Sequence, residues 1–282
     1  MVLEVLEFGF LQRALIAGVS VAITSSVIGL FLVLRRNSLF GDALSHAAFG
    51  GIAIGLATNI YPLWTGLTLS ILGALGITKL RQSAKIPADA TVAILLSSGL
   101  ALGILLISLS GGFTLDLFSF LFGSIMLVNI EDTLMILAMS GIILSIIILL
   151  YRQLMYITFD EEQARVSGLP ISKLNYLFII LASVAVIVSM RLVGILLVSS
   201  LLVIPNVTAL LFNKGFKKTA LISVSVSIFS VVAGIAISYA ANLAPAGTIV
   251  LVSTAAFLTV LAARHYYSKN KQIVKKFEEV RS

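Results

Sequence analysis

The stretch ALIAGVSVAITSSVIGLFLVL, from Ala14 to Leu34, contains no charged residue and is followed at once by Arg35 and Arg36. A transmembrane α-helix needs about 20 consecutive, predominantly apolar residues. Charged side chains avoid hydrocarbon, so an arginine pair directly after such a segment is typical of the end of a span. The stretch therefore predicts a transmembrane helix that ends at the membrane surface beside the two arginines.

The same pattern recurs along the whole chain and predicts nine spans in all. The two short segments on either side of Arg191 could instead form one broken or hairpin-like unit, so we expect eight to nine transmembrane helices. A short amphipathic helix, Leu115–Leu127, is predicted at the surface between the fourth and fifth spans. The further spans are predicted at Ala43–Asn59, Tyr61–Thr78, Ala90–Ser110, Thr133–Leu150, Leu174–Val188, Leu192–Leu211, Thr219–Ala240 and Thr248–Ala262.

Composition excludes the other broad classes of protein. The chain is 59% hydrophobic and 11% charged, with a mean hydropathy of +1.12, whereas soluble domains carry roughly 25% charged residues. The net charge of +7 lies in short clusters between apolar segments, so no basic nucleic-acid surface is expected. The absence of cysteine excludes disulfides and thiolate metal sites. Glu4 and Glu7, without a basic region before them, argue against a cleaved signal peptide. We therefore expect a single all-α, polytopic membrane domain over residues 1–282.

The basic residues predict the orientation of the chain. All Lys and Arg residues except Arg13 and Arg191 fall in alternate loops or in the basic tail, residues 264–282. Positive residues favour the cytoplasmic side, so we expect a cytoplasmic C-terminus and, with nine spans, an external N-terminus. The opposite side carries Glu131 and Asp132 among other acids, which either solvate the interface or attract cations and a delivery protein.

Asp42 and His46, at the start of the second predicted span, are the candidate metal ligands. Four residues apart on a helix, they share one face, with β-carbons about 5–6 Å apart. An ionised Asp in a span rarely faces lipid, and a carboxylate with an imidazole suits zinc, manganese or ferrous iron. Two ligands do not complete a site, but a two-fold homodimer would supply two Asp and two His. The alternative is a helix-capping Asp42 with a satisfied polar His46.

A second candidate is the short amphipathic helix predicted between the fifth and sixth spans, within Thr158–Pro170. Thr158 or Asp160 can cap it, acids fill its first turn, and Gly168 with Pro170 ends it. Such a helix either connects two spans or docks against a partner protein.

The third candidate lies in the seventh predicted span, where Pro205 would kink the helix. Ser199 and Asn206 are polar and should face protein or a transport pathway. They either line a pathway beside a hinge at Pro205 or form hydrogen bonds between helices.

Taken in order, these segments resemble the metal-type ABC permease family, which takes up zinc, manganese and iron. The resemblance covers nearly the whole chain. It is carried by Leu34–Phe40 leading into Gly41–Ala47, by Asp116–Leu117 and Leu121–Gly123, by Phe159, Asp160, Ala164 and Gly168, by Val193–Gly194, Pro205 and Thr208–Ala209, and by Pro245–Gly247.

The resemblance implies a type II ABC importer-like permease in a prokaryotic cytoplasmic membrane. It implies a homodimer, two ATP-binding cassette subunits inside and a metal-binding protein outside. Zn²⁺ or Mn²⁺ would be transported rather than held as a cofactor, with Asp42 and His46 at the gate. Residues 159–168 would form the coupling helix that contacts the ATPase. The sequence departs from the family at Asn206–Val207, where alanines are usual, and at Gly50, where manganese members often have proline. The departure at Gly50 favours zinc over manganese.

Other functions fit the sequence less well. No G-x-x-x-x-G-K-[ST] loop is present, so this chain is not expected to hydrolyse ATP or to be an enzyme. An ion-coupled secondary transporter acting alone is the main alternative, although no inverted repeat favours it. An intramembrane metalloprotease lacks its H-E-x-x-H motif, and a structural scaffold would not need Asp42 with His46.

Overall fold

A computed structural model describes residues 9–84, 86–110, 115–123, 129–195 and 198–279, which form twelve α-helices and no strand. Eight of these helices are long and apolar enough to cross a membrane, which confirms the predicted all-α, multi-pass fold. The helices are α1 Gly9–Leu34, α2 Phe40–Thr58, α3 Pro62–Ala84, α4 Ala88–Leu109, α5 Leu115–Phe122, α6 Ile130–Leu149, α7 Tyr151–Phe159, α8 Glu161–Val166, α9 Ile171–Val193, α10 Val198–Leu210, α11 Phe216–Ala241 and α12 Pro245–Glu279.

The prediction of a span over Leu192–Leu211 is wrong at its start. Helix α9 continues through Arg191 to Val193, and the chain leaves it at Gly194, whose φ of 75° is left-handed. A β-carbon at Gly194 would lie 2.4 Å from the Leu121 carbonyl oxygen of α5, so only glycine fits there. The next helix, α10, therefore begins at Val198 and has only 13 residues, about 20 Å of helix.

The predicted surface helix, now α5, and the helix after it, α6, differ less from prediction. Helix α5 covers Leu115–Phe122 of the predicted amphipathic helix, and residues 124–128 lie outside the described part of the chain. Helix α6 begins at Ile130 because Asn129 caps it: its side chain accepts a hydrogen bond from the Asp132 backbone N–H at 2.7 Å.

Successive long helices run in opposite directions through the bundle. We call the end of the bundle that contains a cavity the first end. This cavity is lined by residues from the ends of α1, α3 and α7 and from the starts of α2, α4 and α9. The opposite end is the second end. There α1, α6 and α12 begin and α9 and α11 end, and they pack in one apolar cluster that includes Leu11, Ile136, Val188, Ile235 and Ala246. Phe216 of α11 contacts Phe31 near the end of α1, with ring centroids 5.3 Å apart. The chain therefore returns through α10 from the second end to the first.

Close contacts between backbones hold the middle of the bundle together. A β-carbon at Gly29 of α1 would lie 2.0 Å from the Leu202 carbonyl of α10, and one at Gly51 of α2 would lie 2.4 Å from the Thr65 carbonyl of α3. Small residues at such positions let membrane helices approach closely, since lipid provides no hydrophobic drive between them.

The arrangement of ends leads to a topology prediction. The first end carries the basic loops, so we expect it in the cytoplasm. Lys217 and Glu131 are both exposed and lie at the first and second end respectively. Because the chain has no cysteine, single Lys217→Cys and Glu131→Cys variants can be labelled without background. An impermeant maleimide should label only Cys at position 131 in intact cells and both positions after permeabilisation. Labelling of position 217 in intact cells would contradict this orientation.

Candidate functional site

The turn between α1 and α2 places Asp42 at the first end of the bundle. The backbone N–H groups of Arg36 and Asn37 donate to the carbonyls of Val33 and Leu32 at 3.0 and 2.9 Å, and Arg36 has a left-handed φ of 57°. These bonds terminate α1 tightly. Helix α2 begins at Phe40, so Asp42 lies in its first turn, where the helix dipole favours a carboxylate.

Asp42 and His46 lie together, as their spacing predicts. The His46 Nε2 is 3.8 Å from an Asp42 Oδ, and their side chains are 13% and 26% exposed respectively. That separation is beyond hydrogen-bond distance. It is also close to the roughly 3.4 Å that separates two ligand atoms bonded to one tetrahedral metal ion at about 2.1 Å. A small rotation of either side chain would bring both atoms into ligand range.

The pair is not sufficient to hold a metal by itself. Within the described residues, no group of three or more His, Cys, Asp or Glu side chains lies close enough to hold a metal ion. The buried Nδ1 of His46 has no hydrogen-bond partner in the same part of the chain. One chain therefore offers an oxygen and a nitrogen ligand, on a partly exposed face, with further ligands still required.

Glycines of α4 allow α2 to approach that helix closely at His46, and no prediction from the sequence included them. A β-carbon at Gly99 would lie 2.6 Å from the His46 carbonyl oxygen, and one at Gly103 would lie 2.4 Å from the Phe49 ring. The spacing Gly99-x-x-x-Gly103 is the pattern by which membrane helices pack closely, so it could have indicated this contact. Gly50 also belongs to this contact, since its β-carbon would lie 2.9 Å from the Gly99 carbonyl. Packing thus explains Gly50 without reference to the metal.

The residues predicted as pathway or hinge all lie in α10. Asn206 is fully buried: its amide nitrogen donates to the Leu202 carbonyl at 2.7 Å, and its oxygen accepts from the Ser223 hydroxyl at 2.6 Å. Ser26 of α1 donates in turn to Ser223 at 2.8 Å. Asn206 therefore joins α1, α10 and α11, the hydrogen-bonding alternative that the sequence left open. Ser199 is half-buried, and Pro205 is buried within α10.

The predicted coupling segment forms the short helix α8 at the first end. Asp160 caps it by accepting from the Gln163 backbone N–H at 2.9 Å, and Gly168 ends it with a left-handed φ of 80°. Ala164 is fully buried in a cluster with Ile157, Ile171 and Leu174. Ala164 therefore packs α8 onto α7 and α9 and is not itself available to a partner.

Two large apolar side chains, one at the end of α8 and one just before it, are exposed. Val166 is 90% exposed and Phe159 is 63% exposed. They lie beyond the ends of the membrane-spanning helices, on the side of the basic loops. Apolar patches exposed outside the membrane mark protein interaction sites, so these two side chains are candidates for a docking surface.

The contacts of Arg35 are the second feature that the sequence did not predict, since there Arg35 only marks the end of the first span and belongs to the stretch Leu34–Phe40. Its Nε donates to the Thr158 hydroxyl of α7 at 3.0 Å, and its Nη1 donates to the Asn175 side-chain oxygen of α9 at 2.9 Å. The guanidinium carbon lies 4.6 Å from the centre of the Phe178 ring. Burial lowers the pKa of Arg35, while the nearby Glu161 carboxylate raises it. No local sequence signal marks these partners, because they lie more than one hundred residues away.

Comparison with known proteins connects this arrangement to a family. The sequence profile of the ABC 3 transport family matches residues 7–264. This chain belongs to the ABC 3 transport family. It is a membrane permease of the metal-type ABC transporters and hence a transport subunit, as the resemblance of its motifs predicted. Family membership argues against the ion-coupled transporter acting alone.

Its relatives in this family match over nearly their whole length. A probable metal transport system membrane protein of Treponema pallidum is 35% identical, covering 91% of this chain and 96% of the relative. The manganese transport system membrane protein MntC of Listeria innocua is 34% identical, with 95% and 97% covered. The solved structure of PsaBC from Streptococcus pneumoniae in complex with Fab is 32% identical, has a TM-score of 0.83, and is matched over 92% of this chain and 95% of that chain. The fold is therefore that of an ABC importer permease.

Proposed function

We propose that two copies of this chain form the membrane pathway of an ATP-driven importer for Mn²⁺, in which Asp42 and His46 of both copies form the gate. The observation that carries the proposal is the incomplete ligand pair, 3.8 Å apart on a partly exposed face of α2. A two-fold axis beside that face would bring together two carboxylates and two imidazoles. The whole chain then acts as one permease domain in a prokaryotic cytoplasmic membrane, with its tail, residues 264–282, in the cytoplasm.

The chemistry of such a gate suits a divalent transition metal. Two carboxylates attract a divalent ion far more strongly than Na⁺ or K⁺, and the mixed oxygen and nitrogen ligands suit Mn²⁺ or Zn²⁺. The names of relatives, including MntC of Listeria innocua, support Mn²⁺. The preference for zinc depended on Gly50, which packing against α4 explains. Partial exposure leaves room for water ligands, which six-coordinate Mn²⁺ requires more than four-coordinate Zn²⁺ does.

Transport in this proposal needs partner proteins on both sides. Two ATP-binding cassette subunits bind at the first end, against α8, and a metal-binding protein delivers the ion at the second end. The metal is transported and not retained, because conduction requires release. Cation capture at the second end is supported by acids such as Glu131, which is exposed there.

The first experiment tests the gate in the reconstituted complex. Asp42→Asn keeps the shape of the side chain but removes its charge, whereas His46→Ala removes a ligand. Changes to groups that only orient ligands cost about 10- to 100-fold in metal affinity, so each variant should lower Mn²⁺ uptake by at least that factor. Uptake should also fall in acid, because protonated imidazole cannot coordinate metal.

Matched controls separate ligand loss from general damage. Asp89→Asn removes the acid from the first turn of the neighbouring helix α4, and His265→Ala removes the other histidine, which is exposed. Both control variants should transport normally. Normal uptake of Mn²⁺ and Zn²⁺ by Asp42→Asn and His46→Ala would contradict the gate. It would show that Asp42 only caps α2 and that His46 is only a polar side chain in the packing.

The second experiment tests docking of the ATPase on α8. Val166→Lys removes the exposed apolar group, and a lysine at the helix C-terminus keeps a favourable interaction with the dipole. Since buried apolar anchors carry much of an interface's affinity, this variant should weaken copurification of the ATPase by about tenfold or more. Phe212→Lys, at an exposed apolar position after α10, serves as the control. ATPase binding and uptake by Val166→Lys equal to the wild type would place the interface elsewhere.

A further inference from the structure

Arg35, directly after α1, donates hydrogen bonds to residues on both sides of α8. Thr158 lies two residues before the Asp160 cap of α8, and Asn175 lies in the first turns of α9, after α8 has ended. One guanidinium therefore contacts the chain on both sides of the docking helix, and the Phe178 ring covers its face. A planar group with several donors in fixed directions holds such partners simultaneously and at defined angles, whereas the donors of a lysine rotate on a flexible stem.

The same guanidinium retains one unused donor nitrogen. Arg35 Nη2 is buried and has no hydrogen-bond partner among the described residues. Arg35 also lines a cavity of about 460 Å³, whose other polar lining residues are Asn37, Thr78, Thr91, Thr158, Glu161 and Asn175. A buried donor without a partner is costly, so an acceptor that reaches it stabilises the arrangement.

Glu161, the first residue of α8, carries the carboxylate in the lining of this cavity and is the candidate acceptor. It lines the same cavity, yet its carboxylate pairs with Arg165 at 3.8 Å, where the two side chains are 53% and 75% exposed. An exposed pair of this kind contributes little to stability. If α8 moves toward the cavity, Glu161 can therefore leave Arg165 and pair with Arg35 instead. This change of partner would cost little stability and would give Nη2 of Arg35 an acceptor.

The turn that begins at Arg35 leads directly into the helix of the proposed gate. Only residues 35–39 separate α1 from α2, and this turn is held by backbone hydrogen bonds from Arg36, Asn37 and Phe40. Asp42 follows within the first turn of α2. A tight, hydrogen-bonded turn absorbs less displacement than a long loop does, so a shift of Arg35 would reach the first turn of α2 and its carboxylate.

We infer that Arg35 is the positioning residue that couples α8 to the Asp42–His46 pair, with Glu161 as its exchange partner. In one state Glu161 pairs with Arg165, and in the other it pairs with Nη2 of Arg35 and draws the α1–α2 turn toward α8. The inference rests on the proposed function, because it assigns the link between the proposed docking helix and the proposed gate.

The test measures coupling rather than activity alone. Glu161→Gln changes an exposed side chain and leaves the Arg35 bonds to Thr158 and Asn175 intact, so folding is not at risk. In the reconstituted complex with its ATPase, this variant should lower Mn²⁺ transported per ATP hydrolysed by about tenfold. Its Mn²⁺ binding in the absence of ATPase should equal that of the wild type. Glu162→Gln, the exposed neighbour, is the control and should couple normally.

A second pair of variants tests Arg35 itself. Arg35→Met should uncouple in the same way, whereas Arg36→Met, at the exposed neighbouring position, should not. Spin labels on Ser38→Cys and Gln163→Cys should report a distance between the turn and α8 that changes on ATP binding, and Glu161→Gln should abolish that change.

The outcomes separate this inference from the proposed function. Wild-type coupling by Glu161→Gln, or an ATP-dependent distance change that survives in it, overturns the role of Glu161 and Arg35 while leaving the importer intact. Absence of ATP-dependent uptake by the wild-type complex overturns the proposed function itself.

Discussion

Hydrocarbon offers no water to the peptide groups that cross it, so every backbone N–H and C=O in a span must find a partner within the protein. The chain meets this constraint with α-helices throughout its described residues. The cost of taking a charged side chain into hydrocarbon places the basic residues at the ends of the helices and leaves the helix interiors to apolar and small residues. Against that background, an acid and a histidine on the same face of one helix are unusual, and their cost indicates a function.

Close packing by glycine then determines how these two side chains are presented. Helix α2 contacts α4 through Gly50, Gly99 and Gly103, and it contacts α3 through Gly51. Because backbone meets backbone there, His46 cannot move independently of α4. At the first end, by contrast, α2 is joined to the rest of the chain by the Arg35 turn, which contacts α7 and α9. The bundle thus holds the middle of α2 firmly and leaves its first turn linked to α8.

Much of this architecture is predictable from the sequence, because it depends on local composition. The length of the apolar stretches gives the spans, and the four-residue spacing gives the shared face of Asp42 and His46. The cap at Asp160 and the end at Gly168 follow from helix chemistry. The break at Gly194 was misplaced because its cause is the Leu121 carbonyl, which lies far away in sequence. Ala164 and Asn206 posed the same difficulty: residue type does not tell whether a small or polar side chain faces its own chain or a partner.

The central claim is that the metal binds to Asp42 and His46 from two copies of this chain. Pulsed electron paramagnetic resonance of Mn²⁺ bound to the purified dimer tests it most directly, because histidine nitrogen bonded to Mn²⁺ gives a resolved hyperfine coupling. The wild type should show two equivalent nitrogens per Mn²⁺ and His46→Ala should show none, with His265→Ala unchanged. A wild-type signal without coupled nitrogen, or one that persists unaltered in His46→Ala, would contradict it.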